Sequence, residues 1–129
     1  MKEEVFTTNA PEPVGPYSQA VRVGTAVYLS GQIALNPETG ELNNESLEDE
    51  AKQIFENLSH VLEEAGLTEN DIVRADIFMT DISQFTLVNE IYETWLGEVE
   101  VKPARQTVEV SALPKGASLE VSCIAHVSN

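Results

Sequence analysis

Two runs in the last quarter of the chain alternate with the two-residue period of a β-strand, and nothing else limits the available folds as tightly. In Lys102-Pro103-Ala104-Arg105-Gln106-Thr107-Val108-Glu109-Val110, one face carries Gln106, Val108 and Val110, the other Arg105, Thr107 and Glu109. In Leu119-Glu120-Val121-Ser122-Cys123-Ile124-Ala125, the residues Leu119, Val121, Cys123 and Ala125, continued by Val127, make an apolar face. Glu120 and Ser122 lie opposite. Such strands need a sheet with one buried face. Arg105 opens its strand just after Pro103 and is one of seven Lys and Arg residues in a chain with 22 Asp and Glu. A fixed guanidinium near a carboxylate suits a small substrate that carries its own carboxylate. Taken alone, these strands are accounted for more simply by a cross-strand ion pair.

The preceding 100 residues supply the partners. Residues 5 to 8 read as a short edge strand, followed by an Asn-Ala-Pro-Glu-Pro loop whose prolines keep it out of helix. Residues 18 to 23 and 26 to 30 read as a hairpin turning at Gly24-Thr25, and Asn36-Pro37-Glu38-Thr39-Gly40 as a turn. Leu47, Ala51, Ile54, Leu58, Val61, Leu62 and Ala65 then follow helical spacing. Ser46 or Asn44 is placed to cap this helix, three acids occupy its first turn, and Gly66 stops it. Residues 72 to 80 read as a strand with Val73, Ala75, Ile77 and Met79 on one face. A second helix runs from Ser83 to near Gly97 and buries Phe85, Val88, Tyr92, Trp95 and Leu96. This order predicts one α+β domain over residues 1–129, a mixed sheet with two helices on one face. Small or polar residues such as Ser30, Thr107 and Ser122 suit subunit packing on the other face.

Charge and composition exclude several functions. Twenty-two acids against seven bases give a formal net charge of -15, without a basic run, which disfavours nucleic acid as a partner. No apolar run reaches the roughly 18 residues of a membrane span, and the first residues hold no apolar signal region, so the cytoplasm is the expected compartment. Cys123, the one cysteine, has the parity of the apolar face, which predicts a buried, inert thiol. Glycine-rich phosphate loops, paired metal-binding cysteines and nucleophile elbows are missing. His60 falls outside the apolar stripe of its helix, which predicts a solvent-facing ring. His126 has polar-face parity near the terminus and is read as structural or exposed.

Five separated segments narrow the reading further: Gly15-Pro16-Tyr17-Ser18-Gln19-Ala20, Leu29-Ser30-Gly31-Gln32-Ile33, Pro103-Ala104-Arg105, Leu113-Pro114-Lys115-Gly116-Ala117 and Glu120. Together, in this order and from about residue 7 to 127, they resemble the RidA (YjgF) family of reactive-intermediate deaminases. The resemblance implies a chorismate-mutase-like (YjgF-like) fold with a six-stranded mixed sheet, a homotrimer, and clefts between neighbouring subunits. It implies hydrolysis of 2-iminobutanoate and 2-iminopropanoate, released by pyridoxal-phosphate dehydratases, to 2-keto acids and ammonia, with neither metal nor cofactor. Carried over residue by residue, Arg105 clamps the substrate carboxylate together with the backbone N–H of Thr107, a position where the family often has cysteine. Glu120 is the acid/base and Tyr17 lines the cleft with its hydroxyl near substrate or water. Ser30, Gly31 and Asn89 match cleft positions, and Phe85 is expected in the core with one edge in the pocket. Two other classes stay open: a module that binds 2-keto acids without turnover, and a chaperone or translation-inhibitor role.

Overall fold

The computed structural model describes residues 1–127. Its largest element, α1 (Leu47–Glu64), begins as the sequence predicts: the Ser46 side chain accepts the Asp49 N–H, and Glu48, Asp49 and Glu50 occupy the first turn. No basic residue lies in its last turn. The carbonyl of Ala65, at the C-cap, is met instead by the guanidinium of Arg22, which donates to it from across the domain. Ile54, Leu58, Val61 and Leu62 are fully buried, and Gly66, at φ 78°, ends the helix.

That apolar stripe packs on a six-stranded sheet. Its members are β1 (Lys2–Val5), β2 (Ala20–Val23), β3 (Ala26–Gln32), β4 (Ile72–Met79), β5 (Ala104–Glu109) and β6 (Leu119–His126). The strand order is β1-β2-β3-β6-β4-β5. All neighbours are antiparallel except β4 and β5, which run parallel through the crossover helix α2 (Phe85–Leu96). Leu119, Val121, Cys123 and Ala125 of β6 share one buried core with α1 and α2, as their parity predicts. Both helices therefore cover the same face. The opposite face stays open and shows Tyr28 and Val108, 49% and 40% exposed.

Local details differ from the sequence reading. The first strand is residues 2–5, not 5–8, because Thr7 turns inward to meet Gln19. Gln19 is 1% exposed; its Oε1 accepts the Thr7 N–H at 2.8 Å, and its Nε2 reaches the carbonyls of Thr7, Ala10 and Pro11. One amide thus ties down the whole segment 7–11. Gln19→Leu leaves those groups without their partner, and a loss of about 1–3 kcal/mol in urea unfolding is the expected result. In β4 a bulge sets Ile72 opposite Ala125 and Arg74 opposite Ile124, so Ile72 is buried and Val73 is turned out, 45% exposed. Asp81 caps a 3-10 turn at 82–84, which delays α2 to Phe85. Phe85 is only half-buried and stands outside the core. Trp95 is also half-buried, stacked on Phe55 at 4.7 Å and donating Nε1–H to Ser59 Oγ at 2.7 Å.

Candidate active site

The residues singled out in the sequence fall into two groups on opposite faces of the sheet. Glu120 stands opposite Phe78, on the open face; Arg105 stands opposite Ala75 and Thr107 opposite Ile77, on the helix face. The Arg105 guanidinium is thus not beside Glu120 within one chain. Thr107 likewise belongs to the helix face, with its Oγ1 buried and unpartnered, rather than to the face open for subunit packing.

The first group surrounds a cavity of about 300 Å³ lined by Tyr17, Ser30, Gly31 and Glu120. It is placed there by an irregularity in β3. Leu29 pairs with Cys123 and Gln32 with Val121, so three steps along β3 match two along β6, and Ser30-Gly31 bulges beside Glu120. Ser30 Oγ–H donates to the Ser18 carbonyl at 2.6 Å and joins the bulge to the Tyr17 segment. Gly31 is required by close approach: a Cβ there would lie 3.0 Å from Cδ and Oε2 of Glu120. Tyr17 is 47% exposed, and its hydroxyl accepts the Val14 N–H at 3.3 Å. It is a cavity wall, not a core plug. Burial raises the Glu120 pKa above the usual carboxylate range. Ile33 of the quoted motif, with Val14 and Leu35, which no motif named, adds an apolar end.

The second group is built on Arg105. Its Nη1–H donates to Asn89 Oδ1 at 2.6 Å, and its Cζ lies 5.0 Å from the Tyr92 ring centroid and 5.5 Å from that of Phe85. Among the described residues it forms no ion pair; the two present are Lys52–Glu48 and Arg74–Asp76. In a chain of charge -15 this is a conspicuous cation. Tyr92 was read from the sequence as core, and it is 6% exposed, yet its ring is the nearer platform for the guanidinium, and its hydroxyl is unpartnered. Burial raises the Tyr92 pKa and the Arg105 charge opposes the rise. Its place three residues after Asn89 on the same helix was the available signal. Val110 N–H donates to the Met79 carbonyl. Strand alternation then turns the N–H of Thr107 away from β4, to the free edge of the sheet.

Other candidates are structural. His60 Nδ1 lies 2.8 Å from the Asn9 carbonyl and His126 Nδ1 lies 3.4 Å from Thr25 Oγ1, each away from both groups. Cys123 is 2% exposed, and burial, with Asp76 nearby, pushes its thiol up to about 12. Among the described residues no cluster of three His, Cys, Asp or Glu could hold a metal ion, and no helix is long and apolar enough to cross a membrane.

Comparison with known proteins places this geometry. The family described as endoribonuclease L-PSP matches residues 7–127. A RutC family protein of Aquifex aeolicus is 50% identical, over 95% of this chain and 97% of its own. The 2-iminobutanoate/2-iminopropanoate deaminase of Mus musculus is 40% identical, over 97% of this chain and 91% of its own. The crystal structure of E. coli TdcF with bound serine superposes with a TM-score of 0.93 at 37% identity, covering 98% of this chain and 99% of that one.

Proposed function

This chain belongs to the endoribonuclease L-PSP family, and within that family we propose that it is a cofactor-independent deaminase of 2-iminobutanoate and 2-iminopropanoate, assembled as a homotrimer. The observation that carries the reading is Arg105, a guanidinium held by Asn89, Tyr92 and Phe85 but without a carboxylate partner among the described residues. Its free donors, with the edge N–H of Thr107, form a fork for a substrate carboxylate. The mouse deaminase supports the reaction, and serine bound to TdcF supports a small ligand carrying a carboxylate.

An imine carbon is already electrophilic, so the chain has to orient it and move protons. Water adds to the C=N carbon as Glu120 takes one of its protons. Glu120 returns that proton to nitrogen, giving a carbinolamine. It then carries the carbinolamine hydroxyl proton to nitrogen as well, so that the C–N bond breaks, ammonia leaves and the C=O of the 2-keto acid forms. Imino acid and water are consumed, and keto acid and ammonia formed, so atoms balance without an oxidant. Clamp and acid/base lie on opposite faces of one chain. The site is therefore completed between subunits, Arg105 of one chain facing Glu120 of its neighbour, and the apolar residues bared on the open face support that contact.

The test generates the enamine in situ with a threonine or serine dehydratase and lets semicarbazide compete for the imine. Added protein is expected to suppress semicarbazone formation. If it does not, while titration shows 2-keto acids binding, the site is a binding module and the deaminase reading fails. The family description includes ribonuclease activity; the net charge of -15 argues against polyanion binding, and RNA retained by this protein at low salt would reverse that judgement. Gly31→Ala provides a finer check. The added methyl group displaces the Glu120 carboxyl by a few tenths of an ångström, and kcat is expected to fall ~10-fold with the melting temperature nearly unchanged.

A further inference from the structure

Glu50 stands in the first turn of α1 and is 2% exposed, the only charged side chain among the described residues that is withdrawn so far from water. Its Oε2 accepts two backbone N–H groups from 68 and 69 residues away, Ser118 at 2.7 Å and Leu119 at 3.2 Å. Burial raises its pKa and those two N–H groups oppose the rise. The sheet explains why the donors need it. β3 ends at Gln32, opposite Val121, so the chain at residues 118 and 119 runs past the end of that strand. The Leu119 N–H, turned to that side, has no ladder to join, the Ser118 N–H lies just before the strand begins, and a buried N–H without an acceptor is costly. The next residue is Glu120.

We propose that Glu50 is a positioning residue for Glu120, its carboxylate taking the place of the missing strand at the start of β6. The inference rests on the reading of Glu120 as the acid/base and names what holds that group in place. Two further observations support it. Gly31 leaves the Glu120 carboxyl no slack, since even a Cβ there would come within 3.0 Å of it, so a small shift at the start of β6 is felt at the carboxyl. Glu50 also belongs to a buried polar row, Glu50, Gln53 and Asn57, on one face of α1. Gln53 Nε2 donates to Asn57 Oδ1 at 3.0 Å, and Asn57 Nδ2 donates to the carbonyl of Leu35, a wall of the same cavity, at 2.9 Å. One helix thus braces the cavity at two points through side-chain to backbone bonds.

What the position requires is an acceptor oxygen of the right reach, not a charge. Glu50→Gln keeps that oxygen, whereas Glu50→Met keeps the volume and the helix and removes it. In the assembled protein, Glu50→Met is expected to lower kcat by at least ~10-fold, toward the ~10²-fold cost of a 1 Å misplacement, with KM within about 2-fold, and Glu50→Gln to restore kcat. Amide hydrogen exchange at Ser118 and Leu119 is expected to be slow in wild type and in Glu50→Gln and fast in Glu50→Met. A folded Glu50→Met protein with wild-type kcat overturns the proposal. So does fast exchange at both amides in wild type, a measurement that stands even if the methionine variant does not fold. Because exchange is read without substrate, slow wild-type amides in a protein that fails to hydrolyse imines would count against the deaminase reading and leave the bracing role of Glu50 standing.

Discussion

Arg105→Ala is expected to lower kcat/KM for the imino acid by about 10²–10⁴-fold, because it removes the two charge-assisted hydrogen bonds, of roughly 1.5–3 kcal/mol each, that the proposed clamp makes to the substrate carboxylate. The fold is expected to survive. Arg105 lies on the edge strand β5, and within the chain its polar contact is the Asn89 side chain, an exposed hydrogen bond. The loss is measured in the dehydratase-coupled assay with the melting temperature and oligomeric state as controls. Arg105→Lys is expected to recover only part of the activity, since an ammonium cannot reproduce the planar fork held over Tyr92 and Phe85. A folded Arg105→Ala protein as active as wild type would sink the clamp.

How much of this was legible in the sequence depends on whether a property is local or set by distant chain. The period of β6 put Glu120 on the face opposite Leu119 and Val121, because alternation along one strand is a local fact. The same logic misplaced Val73, since a bulge is decided by how β4 meets β6 and leaves no mark in the alternation itself. The motifs named both Arg105 and Glu120 but not the sheet faces that divide them. That division follows from the register of β5 on β4, Arg105 against Ala75, which the α2 crossover sets. Polar residues inside the α1 stripe were the hardest to read. Glu50 and Asn57 are buried because Ser118, Leu119 and Leu35 present unpaired backbone groups to them from 22 to 69 residues away.

Glu120→Gln is expected to reduce kcat by about 10²–10⁴-fold, the usual contribution of a positioned acid/base, and to leave keto-acid affinity nearly intact because the clamp is untouched. The pH profile carries a sign. In the proposed reaction Glu120 takes a proton from water in its ionised form, so kcat is expected to fall as pH falls through its pKa. Burial holds that pKa above the usual carboxylate range. In the proposed assembly a neighbour's Arg105 would oppose that rise until a substrate carboxylate neutralises it, so the acidic limb of kcat is expected above that range and to vanish in Glu120→Gln. Stability moves the other way. A carboxyl with a raised folded-state pKa contributes stability that is present below the unfolded pKa and lost as pH rises through the folded one. Glu120→Gln is therefore expected to melt at or slightly above wild type at neutral pH, which separates lost chemistry from lost fold. The two-faced geometry adds an arm that a one-chain site cannot satisfy. If each site joins Arg105 of one subunit to Glu120 of the next around a three-fold ring, inactive Arg105→Ala and Glu120→Gln chains unfolded together and refolded at equal ratio form mixed trimers with one intact site each. About three quarters of such trimers are mixed, so about a quarter of wild-type activity returns. No recovery from well-mixed trimers would place both groups in one subunit and overturn the divided site.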